Sequence, residues 1–192
     1  MGKKLLLGLV AVVVVLLIMI QTRPGTFHVE RSTVIAGPAE AVFATLNDMN
    51  QFSSWSPWQH LDPNMKVTVE GAPGVGQKYH WAGNDKAGEG EMRITESVPA
   101  SRIGMDLDFL KPFASKNRTG FDLSPEAGGT KVVWSMDGNM DFITKAMCLV
   151  KPMDQMIGPD FEKGLLALSR VVVASAVAAD SSAAPADSAA AH

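Results

Sequence analysis

From Met65 to Met136 the sequence is one short β-type run after another, each closed by turn residues, and this succession constrains the fold more than any other feature. Met65 to Glu70 stops at Gly71-Ala72-Pro73-Gly74-Val75-Gly76, Gln77 to Trp81 at Gly83-Asn84-Asp85, and Gly88 to Ser97 at Pro99. Arg102 to Phe109 carries Ile103, Met105, Leu107 and Phe109 on one face and Gly104, Asp106 and Asp108 on the other, the clearest alternation in the chain. Ser115 to Leu123 sets Thr119, Phe121 and Leu123 against Lys116, Arg118 and Asp122, and Thr130 to Met136 presents Val132, Trp134 and Met136. Tight links leave no room for crossover helices, so the expectation is an antiparallel meander with one wet face.

The flanking segments complete the architecture. Phe27 to Ile35 is β-branched and partly alternating, a further strand, and Gly37-Pro38 breaks it. Ala39 to Leu46, with Glu40 in its first turn, predicts a short helix burying Val42, Phe43 and Leu46. Asn47 to Trp58 holds Phe52, Trp55 and Trp58 among Ser, Asn and Pro, which predicts irregular turns or one more helical turn anchored by aromatics. Downstream, Phe142 to Val150 and Asp160 to Val177 have helical spacing, with Phe161, Leu165, Leu168 and Val172 at intervals of three or four. Pro152, Gly158 and Pro159 interrupt them, which predicts a short helix, a break and a long C-terminal helix starting near Pro159. The same residues mark Lys151 to Pro159 either as a static helix-to-helix corner or as a hinge from which Met153, Met156 and Ile157 would cover a cavity mouth. The order predicts an α+β fold in which a curved antiparallel sheet grips one long helix.

The two ends are of another kind. Charged residues make up 19% of the chain, below the roughly 25% of an average soluble protein, and the shortfall sits at the termini. Met1-Gly2-Lys3-Lys4 precedes Leu5 to Ile20, an apolar run without an amphipathic stripe and near the lower length limit for crossing a bilayer. Such a run is an anchor or a signal peptide. Ile18-Met19-Ile20-Gln21-Thr22-Arg23-Pro24 offers bulky residues and a proline where a cleavage site needs small ones, which favours an uncleaved transmembrane helix. The lysine pair places the N-terminus in the cytoplasm and the domain on the periplasmic or extracellular side. At the other end Ala178 to His192 is a small-residue, low-complexity run expected to be disordered. The expected organisation is an anchor and linker over residues 1–25, a globular domain over 26–177 and a tail over 178–192.

Several stretches carry a family resemblance. Val34-Ile35-Ala36-Gly37-Pro38-Ala39-Glu40-Ala41-Val42-Phe43, followed by Phe52-Ser53-Ser54-Trp55-Ser56-Pro57-Trp58, resembles the opening of the START-like (SRPBCC) superfamily, which includes polyketide cyclases/dehydrases and lipid transport proteins. Gly88 to Glu96, Gly128 to Trp134 and Ile157 to Leu165 are similar to that family's middle and end. The resemblance implies the helix-grip (START/Bet v 1-like) fold, with a cavity between sheet and C-terminal helix that in relatives holds lipids, sterols, polyketides or hormones. It carries over no catalytic residue set, and the anchor is not a feature of the soluble members.

The residues themselves exclude several chemistries. A net charge of -3 with no Lys/Arg cluster gives no electrostatic case for nucleic acid. The one cysteine, Cys148, rules out an intramolecular disulfide, and His28, His60, His80 and His192 form no metal-ligand pair. Gly71 to Gly76 and Gly88-x-Gly90 do not lead from a strand into a helix, so no phosphate cradle or cofactor signature is present. Asp106 and Asp108 fall on the wet face, and alternation sends His80 away from Tyr79 and Trp81. What remains is an aromatic and thioether set, Trp55, Trp58, Tyr79, Trp81, Met92, Met105, Leu107, Phe109, Phe121, Trp134, Met136, Met153 and Met156. Such side chains line adaptable apolar pockets, and they also fill ordinary cores. With 11 methionines in 192 residues, the set tilts toward a cavity. The set points first to a membrane-anchored binder, carrier or sensor of a small apolar or amphipathic ligand without catalysis, with a cyclase or dehydratase using the same pocket as the alternative and a protein-interaction module with a closed core as the third reading. An apolar cavity favours the first, polar residues pointing into it the second, and a filled interior the third.

Overall fold

Why the meander closes around a helix is visible in a computed structural model, which describes residues 2–183. Its strands are β1 (Thr26–Ile35), β2 (Lys66–Glu70), β3 (Lys78–Ala82), β4 (Glu89–Val98), β5 (Arg102–Lys111), β6 (Ser115–Glu126) and β7 (Gly129–Asn139). They form one seven-stranded sheet in the order β1-β7-β6-β5-β4-β3-β2, with every neighbouring pair antiparallel. The period-2 pattern decides the faces: Ile103, Met105 and Leu107 are buried on one side of β5, while Asp106 and Asp108 stay half-exposed on the other. On that outer face Asp106 pairs with Arg93 at 3.2 Å, and His80 lies opposite Tyr79 and Trp81, as alternation requires.

The helices are α1 (Gly2–Gln21), α2 (Ala39–Leu46), α3 (Phe52–Trp55), α4 (Phe142–Val150) and α5 (Met153–Ala183). A 3-10 turn at Met49–Gln51 leads into α3, so the aromatic loop is more helical than its composition implies. Gln77, fully buried, ties this segment to the sheet: its Oε1 accepts from the Met49 N–H at 2.7 Å. In α5, Phe161, Leu165, Leu168 and Val172 are all buried against the sheet, one face of a helix at the expected spacing.

The expected short helix, break and long helix are present, but the long helix expected to start near Pro159 starts earlier. Pro152 does end the stretch after α4, but α5 starts at Met153 and runs through Pro159 to Ala183. A proline in the second turn forfeits one backbone bond, and Gly158 ahead of it offers no Cβ for the ring to strike. Arg31 of β1 then spans the step. Its guanidinium donates to Asp154, one turn before, at 2.7 and 3.0 Å, and to Glu162, one turn after, at 2.7 Å, and it occupies the space a Gly158 side chain would need. The same contact holds the Asp154 carboxyl below its ordinary value. The 153–159 part of a segment read as a corner or a hinge is therefore helical and fastened to the sheet. α5 also extends past Val177, and the rest of the expected tail, 184–192, lies outside the described residues.

Among the described residues α1 is the one helix long and apolar enough to cross a membrane. Ile20 is its one buried residue, and its other apolar side chains are exposed.

Candidate functional site: a cavity between the sheet and the C-terminal helix

Tyr79 and Trp81 on β3, Met92 on β4, Leu107 and Phe109 on β5 and Met136 on β7 project from the concave face of the sheet, and α5 passes over them without closing against all of them. The space left is a cavity of about 460 Å³. Phe52, Ser56, Pro57 and Trp58 close one side, Leu61 and Met65 the next, and Ile157, Asp160 and Lys163 of α5 the roof. The remaining wall is the β3–β4 loop with Lys86 and Ala87.

The rings set the shape of the pocket. Phe52 meets Tyr79 edge to face at 5.0 Å, and Trp81 meets Phe109 likewise at 5.7 Å. The Tyr79 hydroxyl lies 3.3 Å from the Ser53 hydroxyl, and burial pushes its pKa up, so the phenol is neutral at physiological pH. Polar bonds build the mouth. The buried Asp62 carboxylate accepts from the Asn84 N–H at 2.7 Å, and the Asn84 side-chain carbonyl accepts from the Lys86 and Ala87 N–H groups at 2.9 and 3.2 Å. The Ala87 carbonyl then accepts from the Trp81 indole at 3.0 Å. This chain of bonds fixes an otherwise exposed loop against the wall and holds Lys86 at the rim. Lys163 donates to Asp160 at 2.9 Å, whereas Lys86 forms no ion pair among the described residues. The charged residues of the lining, Lys86, Lys163 and Asp160, thus stand against largely apolar walls, with the Asp62 carboxylate behind the loop that carries Lys86.

Seven of the side chains singled out in the sequence share this wall: Trp58, Tyr79, Trp81, Met92, Leu107, Phe109 and Met136. Trp55, Met105, Phe121 and Trp134 sit deeper, in the packed core beneath it. There Trp134 is the hub, stacked on Phe161 at 4.0 Å and 3° and contacting Phe121 at 5.0 Å and Trp55 at 5.6 Å. Its indole donates to Thr119 at 3.0 Å, which fixes the ring. Met153 packs half-buried against the core, and Met156 is half-buried one residue from the wall residue Ile157. Sequence reading passed over Ser56, Leu61, Met65, Lys86, Asp160 and Lys163. Ile157, Asp160 and Lys163 lie at i, i+3 and i+6 beside the buried stripe of α5, a helical signal legible only once the stripe's neighbours are known.

Another depression, of about 830 Å³, lies on the outer face of the sheet. It is a charged, water-open surface where Asp106 is shared by Arg93 and Arg118 at 3.2 and 3.9 Å and Lys116 reaches Asp108 at 4.0 Å. Groups satisfied by one another in water bind no apolar molecule, so the smaller concave-face cavity is the candidate site. Among the described residues no group of three or more His, Cys, Asp or Glu could hold a metal ion.

The model of the family described as "Polyketide cyclase / dehydrase and lipid transport" matches residues 26–173. Solved structures share the fold. Protein CV1439 from Chromobacterium violaceum is 21% identical with a TM-score of 0.53, covering 78% of this chain and 98% of its own. TTHA0849 from Thermus thermophilus is 17% identical with a TM-score of 0.55, covering 78% and 99%. StfQ, a di-domain ARO/CYC from the steffimycin biosynthetic pathway, is 10% identical with a TM-score of 0.59, covering 79% of this chain and 52% of its own. No curated protein matches the chain at a significant level.

Proposed function

The chain belongs to the polyketide cyclase / dehydrase and lipid transport family, and from that premise we propose that its cavity binds a small amphipathic molecule with an apolar body and an anionic head. The observation that carries this reading is the division of the wall. Rings, thioethers and aliphatic groups make up most of the wall, while its charged members, the exposed Lys86 and Lys163 and the half-buried Asp160, reach solvent, so that an anionic group there would stay hydrated and have two ammonium groups to meet. Seating the apolar body releases ordered water from rings and thioethers, and the lysines select the head group's sign. An open cavity with largely apolar walls favours a binder or carrier over a closed interaction module, and the absence of a polar cluster inside it, among the described residues, favours binding over catalysis. The N-terminal helix, in this reading, is an uncleaved anchor that keeps the domain on the periplasmic or extracellular face of a membrane.

Head-group preference is the test. Titrating the full chain in detergent with oleate, oleyl alcohol and oleylamine should give saturable changes in Trp58 and Trp81 fluorescence, tightest for oleate. Lys86→Glu with Lys163→Glu should invert the order. Equal affinity for all three ligands would remove the anionic head from the account, and no saturable response to any would remove the ligand.

A further inference from the structure

We propose that α4 lies flat in the headgroup layer of the bilayer that α1 crosses, with Phe142, Ile143, Met147 and Val150 turned into the lipid, so that the cavity mouth faces the membrane surface. The proposal rests on α1 being a membrane anchor, and it adds where the domain sits and how it is turned.

α4 is an amphipathic helix with its apolar face outward. At about 100° per residue, Phe142, Val150, Ile143 and Met147 fall within an arc of roughly 140°, and all four are exposed, Val150 at 91%. Cys148, the buried residue of α4, points the opposite way. A surface helix in water presents the reverse arrangement, with its apolar stripe toward the core. A helix whose free face is apolar and whose flank is basic suits a lipid interface.

The tether identifies lipid as the occupant. α1 packs against α4, and Ile20, the buried residue of α1, lies at the end that enters the domain. Residues 22–25 between α1 and β1 can span no more than about 14 Å fully extended. The Gly25 carbonyl also accepts from the Met140 N–H at 2.8 Å, one residue before the α4 cap Asp141. The start of α4 is thereby held at the point where α1 leaves the bilayer. The charge agrees: Arg23 in the linker, Lys145 on α4 and Lys151 at its C-cap are cations, and no carboxylate occurs from Phe142 to Lys151. Such a run is drawn to anionic headgroups.

The sheet register carries the same orientation to the cavity. Thr26 pairs with Asn139, Asn117 with Gly138, Phe109 with Ser115, Glu89 with Lys111 and Lys66 with Ala82, so these positions mark one end of the sheet, the end tied to α1. The β5–β6 turn at that end exposes Phe113 at 63%, a second apolar contact for the membrane. Leu61 and Lys86, at the rim of the cavity, belong to loops at the same end.

The test uses the full chain with Cys148→Ala in vesicles of phosphatidylcholine and phosphatidylglycerol, labelled through single cysteines with an environment-sensitive fluorophore and quenched by doxyl lipids. Val12→Cys reports on α1, Val150→Cys on α4 and Val75→Cys on the exposed β2–β3 turn at the far end of the sheet. The label at 150 should emit at shorter wavelength than that at 75 and lose roughly half its emission to the quencher, as a group seated about 5–10 Å into the headgroup and acyl boundary does. Quenching at 12 but not at 150 overturns the docked α4 and leaves the anchor standing. Quenching at neither position overturns both. A blue-shifted but unquenched label at 150 means that protein, not lipid, covers the face, a second copy if the oligomeric state rises with it, and this also overturns the proposal.

Discussion

Leu107→Trp combined with Met136→Trp is expected to lower ligand affinity by at least about tenfold, the equivalent of roughly 1.4 kcal/mol. Both side chains are buried members of the core that also line the cavity. Indoles there take the volume an apolar body would occupy, and their strain stays below the about 1–3 kcal/mol typical of an overpacked core because the space already exists. Met105→Trp is the contrasting variant. Met105 lies one alternate position along β5 from Leu107, in the packed core and off the cavity wall. Its replacement should show the full overpacking loss in chemical unfolding and an unchanged affinity in fluorescence titration. Equal loss of affinity from both variants would mean that ligand reaches the core beneath the cavity.

Phe161→Ala is expected to be the most destabilising single truncation, at about 3–5 kcal/mol. Phe161 is 1% exposed and lies parallel to Trp134 at 4.0 Å, so its ring joins α5 to the sheet at the hub of the aromatic cluster. Gly164, one turn on, exists for the same contact, since a Cβ there would come within 2.6 Å of the Trp134 ring. A domain with a typical stability of about 5–15 kcal/mol would lose a large share of it. Near-UV circular dichroism of the full chain in detergent, followed through urea unfolding, reads the loss. Phe161→Leu should recover most of it, because an aliphatic side chain refills the space without the stacking. A loss below about 1 kcal/mol for the alanine variant would show that α5 does not depend on this stack.

The sheet was legible because its signal is local and redundant. Ile103, Met105, Leu107 and Asp106, Asp108 sort by alternation alone, and Gly and Pro mark each turn. The long helix was legible from Phe161, Leu165, Leu168 and Val172. Its start was not, because Pro159 is a local breaker and what overrides it is remote: Arg31, far away in the sequence, bridges Asp154 and Glu162 around a glycine. The cavity was half legible for a related reason. Residue type and strand face sent Trp81, Met92, Leu107 and Met136 to the concave side. Whether a concave-side residue meets α5 or empty space depends on how far the helix stands from the sheet at that point. Nothing in one strand distinguishes Met105, off the cavity wall, from Leu107, which is on it, although both belong to the buried core. Lys86, just past the Gly83-Asn84-Asp85 turn, carries no signal of its own in the sequence, and it is the Asp62–Asn84 bonds that hold its loop against the cavity wall.

Native mass spectrometry of the full chain, purified in detergent, tests the central claim most directly. The account predicts a population carrying one bound amphiphile, released on collisional activation, restored by adding oleate and lost in the Leu107→Trp, Met136→Trp variant. A wild-type chain that flies only as the bare protein and takes up no oleate would contradict it.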